Sequence, residues 1–508
     1  MRLFQLFFFN LVFAMVLSSS SEASGEEPER PNIIWLMAED ISNDLECYGT
    51  AGVQTPNLNR LADQGIRYTN CFSTAPSSAP NRSAMLTGVH QNIIGAQHQR
   101  SNRNTPLAQP YKPITYWLRK AGYTCILGHH SVMNKGRKID ANFKISRLGP
   151  YDGKEQFGIF DKLDTLRVSD QPFFAQIQLA VTHRGDWWKQ IRRQSDDPVD
   201  PQEIELPPFM ADHPVIRKDW ARYLDQIEYM DAEVGMILQE LKDKGLAENT
   251  VVIFIGDNGR CNAPRGKGYL WDSGLRVPMM VRWPGKIQPG QVSDQMVATT
   301  DISASVLNLA GAELPNYLTG QPCIKEPSQR DAVFSARGLL DEVLDKSISI
   351  TTKRYRYIRH HMPWVPYDAH LAYFEFYRPA LHIMRKMNMK QALTPAQAFF
   401  FRNRKPGEEL YDLKEDPYEL KNLVDDPEYR EVLKRLRDRM NQWERRLPEK
   451  TIEDFTISPA VSVELLDWVR YTKPRQYQQM LNGKEIGFQR LMREYRDYRS
   501  RREKGLDD

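Results

Sequence analysis

Four short apolar runs, each ending abruptly in polar residues, set the strongest limit on how this chain folds. They are Asn32-Ile33-Ile34-Trp35-Leu36-Met37, Tyr123-Thr124-Cys125-Ile126-Leu127, Gln171 to Leu179, and Thr250-Val251-Val252-Ile253-Phe254-Ile255. A strand covered on both faces carries no polar alternation, so such runs read as buried parallel strands. Helical patterns separate them: Thr55 to Ala62, Thr115 to Ala121, and the stripe Tyr223, Ile227, Met230, Val234, Ile237, Leu238 and Leu241 ahead of Gly245. Strand and helix in alternation predict an α/β, doubly wound, mostly parallel sheet with right-handed crossovers. Open sheets of this kind collect ligands beyond the C-terminal strand ends. Here those ends deliver Glu39-Asp40, Gly128-His129-His130-Ser131, Thr182-His183-Arg184 and Gly256-Asp257-Asn258-Gly259, and they can converge on one crevice.

A second feature is the stretch Ser77 to Gly88. Pro80 suits the first position of a helix, which puts Ser78 just before it and Arg82 on the same face. A hydroxyl and a guanidinium then share the positive end of a helix, a natural anion site. Gly88 closes the helix. Glu39, Asp40, Asp257 and Asn258 are all oxygen donors, a set that suits a hard cation, Ca²⁺ or Mg²⁺, better than zinc.

Ser78-Ala79-Pro80-Asn81-Arg82 followed by Leu86-Thr87-Gly88 resembles the signature of the formylglycine-dependent (type I) sulfatases of the alkaline phosphatase-like superfamily. Gly266-Lys267-Gly268, Trp271 to Pro278 and Arg282-Trp283-Pro284-Gly285 are similar to that family's next block. The resemblance implies that Ser78 is oxidised after synthesis to formylglycine by a serine-type maturase. It also implies Ca²⁺, with Mg²⁺ as the alternative, on Glu39, Asp40, Asp257 and Asn258, and Arg82, Lys267 and His183 at the sulfate. One hydroxyl of the aldehyde hydrate attacks sulfur, and the second expels sulfate.

The chain departs from the family pattern in four places. Glu39 stands where Asp is commoner, and Ser78 needs a maturase that converts serine. Asn81 replaces the usual Ser. Gly128-His129-His130-Ser131 replaces the usual Gly-Lys-any-His. His129 then substitutes for the lysine only when protonated, and His130 or His183 substitutes for the acid. Asn81-Arg82-Ser83 is a formal glycosylation sequon, but a glycan there would block the site, so it is read as chance.

His183-Arg184 and Gly95 to Ser101 are similar to the sulfamidase branch. That likeness implies a sulfated polysaccharide substrate, O- or N-sulfated, touched by Arg184, His130 and His361. Arg359, His360, Trp364 and Tyr367 are expected to help His361 line the cleft. The alternatives are a phosphoesterase using unmodified Ser78, and a glycan-binding homologue disabled at His129 and Ser131.

Residues 1–24 read as a cleaved signal peptide, with Arg2, an apolar run to Leu17 and then small residues, which implies a periplasmic or secreted protein without stable membrane insertion. The net charge of +4 lacks any long basic block, and nothing indicates nucleic acid. Five scattered cysteines allow one or two bridges at most. The catalytic α/β domain is expected over 28–345 and a smaller α+β C-terminal domain over 346–449. A charged helical extension follows over 450–508, whose stripe Phe488, Leu491, Met492, Tyr495 and Tyr498 reads as a packing face.

Overall fold

The computed structural model describes residues 30–128, 137–149, 158–163, 166–448 and 463–504. Its centre is a seven-stranded sheet. The strands in chain order are β1 Asn32–Ala38, β2 Ile66–Phe72, β3 Thr124–Gly128, β4 Phe173–Leu179, β5 Thr250–Gly256, β6 Met279–Arg282 and β7 Gln291–Ala298. They lie side by side in the order β3-β4-β1-β5-β6-β2-β7. The four predicted strands form one contiguous parallel block. The short β6 is antiparallel to both its neighbours, and β2 and β7 pair parallel beyond it.

The apolar runs are continuous because every residue of β1, β4 and β5 is buried. Successive side chains of a strand point to opposite faces. Ile34 and Leu36 therefore join the core layer built on the long helix Pro214–Asp243, whereas Ile33, Trp35 and Met37 join the opposite layer with Met85 and Leu307.

The C-terminal sheet is antiparallel, in the order β8 Ala332–Leu340, β9 Val343–Thr352, β10 Tyr355–His360 and β11 Glu408–Asp412. It begins at Ala332, so the change of character expected at 346 falls inside β9. Most of β8 is buried, which hides the alternation that would mark it as the start of a half-exposed sheet. Leu433, Leu436 and Met440 of the helix Arg430–Glu444 cover one face. Tyr269, Trp271 and Phe374 cover the other and join the sheet to the catalytic domain.

Beyond it lie three helices, Val463–Thr472, Pro474–Leu481 and Phe488–Glu503, which fold back onto Ala372, Phe376 and Tyr377. All five cysteines are unpaired. Among the described residues no helix is long and apolar enough to cross a membrane. The expected signal peptide, His129, His130 and Ser131 lie outside the described residues.

Candidate active site

The helix carrying Ser78 runs from Ser78 to Thr87, two residues earlier than a start at Pro80. Ser77 occupies the capping position and its carbonyl accepts the amide of Asn81 at 3.2 Å, so Pro80 falls at the third helical position. A proline there costs no intrahelical bond, because the first four amides of a helix have no helical partner. Ser78 is freed from capping, and its hydroxyl donates to Asn258 Oδ1 at 3.0 Å. Gly88 ends the helix with φ 68°, the left-handed region, as expected.

Asn81 is fully buried and works as a clamp. Its Oδ1 accepts the Thr74 amide at 2.9 Å and the Thr299 hydroxyl at 2.7 Å, and its amide group donates to the Asp257 carbonyl at 2.5 Å. A side chain so enclosed offers no place for a glycan.

Glu39 and Asp40 leave the end of β1 beside Asp257 and Asn258 at the end of β5, because backbone pairing continues past both strands. The Asp257 amide donates to the Ala38 carbonyl at 2.9 Å, and the Ile41 amide to the Asn258 carbonyl at 2.9 Å. Asp40 turns with φ 48°, a conformation costly for a residue with a Cβ. Its amide is held by Asp257 Oδ1 at 3.0 Å, and its Oδ1 accepts Asn258 Nδ2 at 3.0 Å.

Lys267 arrives on a separate loop, and the neighbouring Gly268 amide bonds to the Pro76 carbonyl at 2.7 Å just ahead of Ser78. Gly268 sits at φ 96°, a left-handed conformation that favours glycine, and a Cβ there would also press on the Leu340 side chain of β8 at 2.9 Å. Lys267 Nζ donates to Asp40 Oδ1 at 2.6 Å and to Ser78 Oγ at 3.3 Å.

Arg82 faces the carboxylates, donating to Asp257 Oδ2 at 2.8 Å and Gln178 Oε1 at 2.5 Å, with Glu39 Oε1 at 3.7 Å. It is fully buried and does not line the cavity above Lys267. His183 does line that cavity. Its Nδ1 lies 3.1 Å from the Arg184 carbonyl, and its Nε2 lies 4.0 Å from Asp40 Oδ2. The carbonyl fixes the Nδ1–H tautomer of the neutral ring and leaves Nε2 as the unprotonated nitrogen, on the side of Asp40.

Burial opposes charge on every one of these groups, and the neighbours decide the outcome. For Glu39, Lys138, His183 and Arg82 outweigh burial and hold the carboxyl below its usual range. Lys267 and His183 do the same for Asp40. At Asp257 burial prevails, helped by repulsion from Asp40 and Glu39, and the carboxyl is pushed up. Asp40 and Asp257 keep Lys267 charged beyond the ordinary lysine range despite its burial. Burial brings His183 down to about 4, so its ring is neutral at physiological pH.

Three carboxylates thus face three cations, Arg82, Lys138 and Lys267. Among the described residues no three Asp, Glu, His or Cys side chains converge as a ready metal cage. Two observations nevertheless fit a hard cation. Glu39 Oε1 and Asp40 Oδ2 are buried without a hydrogen-bond partner, and the donor set is carboxylate plus amide.

The structure brings Ser78, Arg82, His183, Lys267, Glu39, Asp40, Asp257 and Asn258 into one cluster. Arg184 lies at the cavity wall, its guanidinium held by Asp219 and by Glu485 Oε1, the latter at 3.2 Å. His361 is not part of the cluster. It follows the end of β10 and pairs with Glu444 Oε1 at 2.6 Å, on the helix covering the C-terminal sheet. Nor do its expected companions line the cavity: Arg359 pairs with Glu444, Tyr367 is buried beside Glu409, and Trp364 is exposed.

Several contributors escaped the sequence reading. Lys138 Nζ pairs with Glu39 Oε2 at 2.7 Å and lines the cavity, though nothing in Gly136-Arg137-Lys138 signals it. Gln99 Oε1 accepts the Ala79 amide at 3.2 Å, and its loop was visible as a stretch similar to the sulfamidase branch.

The pattern of the family described as Sulfatase matches residues 31–312. That described as N-sulphoglucosamine sulphohydrolase, C-terminal, matches residues 265–370 and 365–446. The chain is 31% identical over 461 residues to an ulvan-active sulfatase of Formosa agariphila, covering 82% of this chain and 75% of that protein. It is 25% identical to the human N-sulphoglucosamine sulphohydrolase, over 81% of this chain and 89% of that one. A structure solved in complex with its substrate D-glucosamine-2-N,6-O-disulfate superposes with a TM-score of 0.55 at 17% identity, covering 82% of this chain and 98% of the other.

Proposed function

The chain belongs to the sulfatase family, and on that premise we propose that it is an exported, calcium-dependent sulfatase acting on a sulfated polysaccharide through a formylglycine made from Ser78. The observation that carries this reading is the position of Ser78 Oγ, 3.0 Å from Asn258 Oδ1 and 3.3 Å from Lys267 Nζ, above the paired carboxylates. Two of the similar proteins bear names of enzymes acting on sulfated glycans, which supports the substrate class, with O- and N-sulfate both open. Export rests on the leader-like residues 1–24.

A formylglycine at position 78, made by a serine-type maturase, supplies a nucleophilic oxygen and a second hydroxyl that lets the sulfate leave again. Ca²⁺ on Glu39, Asp40, Asp257 and Asn258 supplies Lewis-acid neutralisation of the sulfate oxygens. The rest of the chemistry belongs to side chains. Asn258 holds the position-78 oxygen in place. Lys267 stays charged and points its ammonium at that same oxygen, so it both attracts the anion and stabilises charge as the S–O bond breaks. His183, neutral at physiological pH, cannot begin as the acid that the sequence suggests; it takes the proton of the attacking position-78 hydroxyl and returns it to the leaving oxygen of the sugar. Arg82 acts one step back, fixing Asp257 and Glu39.

The test is sulfate release from a panel of glycosaminoglycan and algal polysaccharide fragments, by protein produced with a serine-type maturase. The reading expects release by the native chain and none by Ser78→Ala, with aryl phosphate turned over more slowly than aryl sulfate. Turnover of phosphate esters in preference, by unmodified Ser78, would contradict it.

A further inference from the structure

The last three helices lie beyond residue 446, where the match to the sulphohydrolase C-terminal family ends. They are built into the mouth of the active site all the same. A cavity of about 760 Å³ opens above Lys267 and His183, and the helix Phe488–Glu503 gives it Phe488, Gln489, Met492 and Arg496. Residues 488, 492 and 496 are spaced four apart and so share one helical face. The apolar stripe expected of this helix therefore divides. Leu491 and Tyr495 are buried in the cluster formed with Leu465, Val469, Ala372 and Phe376, whereas Met492 lies at its edge and also lines the cavity.

The helix is anchored firmly. Glu485, just before it, accepts from Arg184 at 3.2 Å, Lys189 at 2.7 Å and Arg222 at 2.8 Å, which holds its carboxylate below the usual range once the opposing effect of burial is overcome. The Gln489 amide donates to Asp186 Oδ2 at 3.0 Å, and the Phe488 ring sits 4.8 Å from that of Tyr377.

Around the same cavity stand Arg137 and Arg147. Among the described residues neither they nor Arg496 form an ion pair, and Arg137 Nε is buried without a hydrogen-bond partner. By contrast, the cations deeper in the site, Arg82, Lys138 and Lys267, are all matched by carboxylates. The cavity is also of drug-ligand size, far more than one sulfate group fills.

We propose that the helix Phe488–Glu503 is the outer wall of the substrate cleft, and that Arg496, with Arg137 and Arg147, binds an anionic substituent on a sugar beyond the one that loses its sulfate. The inference rests on the sulfatase reading and deepens it. The substrate is an oligosaccharide carrying at least two anionic groups, the scissile sulfate at Ser78 and a carboxylate or second sulfate at the arginines. Met492 and Phe488 offer the apolar surface against which a pyranose face packs.

Arg496 is exposed and forms no ion pair among the described residues, so Arg496→Ala leaves the fold intact. Kinetics of matured enzyme on an anionic oligosaccharide and on a small aryl sulfate, which does not reach the arginines, test the assignment. The expected result is a loss in kcat/KM on the oligosaccharide that exceeds any loss on aryl sulfate by tenfold or more. It is carried by KM and largely restored in Arg496→Lys. Carboxyl-reduced and selectively desulfated oligosaccharides then separate the two anion types, since only removal of the bound group erases the difference between native and variant protein. Equal effects on both substrates, or none, would overturn the proposal. If the native protein releases no sulfate from either substrate, the sulfatase reading fails by itself. Calorimetric binding of the same oligosaccharide then decides the subsite: tenfold weaker binding by Arg496→Ala supports it, and unchanged binding overturns it.

Discussion

The ammonium of Lys267 lies 3.3 Å from the hydroxyl of Ser78, although 189 residues separate them in sequence. Asp40 pulls the lysine inward at 2.6 Å and keeps it charged, so a buried cation is aimed at the Ser78 hydroxyl. Replacing a donor directed at developing charge costs on the order of 10²–10³ in rate. Lys267→Ala is therefore expected to lower kcat by about 10²-fold or more, measured as sulfate release at saturating substrate. Oxidation at position 78, followed by mass spectrometry of the same protein, should remain complete.

Within the candidate site, Glu39 Oε1 and Asp40 Oδ2 are buried carboxylate oxygens without a hydrogen-bond partner. Chelation should abolish sulfate release and added Ca²⁺ should restore it. Because a ligand that binds only the folded state stabilises it, Ca²⁺ at a hundredfold excess over its dissociation constant should add about 2.7 kcal/mol. Differential scanning calorimetry reads this without any assay of activity. Asp257→Asn should weaken the Ca²⁺-dependent rise in Tm, and a rise of the same size in the variant would show the ion binding elsewhere.

The parallel half of the sheet and the core of the site were legible in the sequence for the same reason. Strands β1, β3, β4 and β5 are enclosed on both faces, so their apolar runs stand out and their polar ends announce the crevice. The other half was not legible. β2 alternates Arg67, Thr69 and Asn70 with apolar residues, β7 is exposed along its first half, and β6 has only four residues.

The site divides in the same way. Ser78, Asp40, Asp257, Asn258 and Lys267 sit in recognisable local motifs. Lys138, Gln178 and Glu485 reach it by tertiary packing from segments whose own sequence carries no chemical signature. His361 misled because its chemistry suits a sulfate as well as a carboxylate, and only the fold reveals that Glu444 is the group it meets.

Glu485 ties the C-terminal helices to three basic residues of the catalytic domain. Its carboxylate is only 16% exposed, so Glu485→Ala removes the carboxylate that Arg222 meets and leaves Arg184 with Asp219 alone, in a poorly hydrated place. A loss of about 1–3 kcal/mol in unfolding free energy is expected by denaturant titration. Proteolysis within residues 463–504 should accelerate relative to the native chain. An unchanged midpoint with unchanged cleavage would mean that the apolar contacts of Phe488 and Leu491 suffice.

His90 provides a pH-dependent term far from the chemistry. Its Nε2 lies 3.2 Å from the Phe334 carbonyl, its Nδ1 accepts the Asn92 amide at 3.3 Å, and its ring packs edge-on against Trp443. Both ring nitrogens are thus satisfied only in the neutral form, and burial brings the group down to about 3. The folded pKa lies below the unfolded one, so the unfolded chain binds the extra proton between about pH 6.5 and 3. The stabilisation is fully present above pH 6.5 and is lost as pH falls through that window. Lowering the pH from 7 to 5 should cost about 2 kcal/mol through this residue. His90→Gln should flatten the slope of the unfolding midpoint against pH by that amount, and an unchanged slope would remove His90 from the account.

The central claim is that Ser78, gathered with Asn258, Lys267 and the paired carboxylates, is converted to an aldehyde and carries the reaction. Mass spectrometry of the Ser78-containing peptide, taken from protein that is releasing sulfate, tests it most directly. The account predicts a peptide lighter than the encoded one by two hydrogens, in proportion to specific activity across preparations. A fully active preparation whose peptide contains only unmodified serine would contradict it.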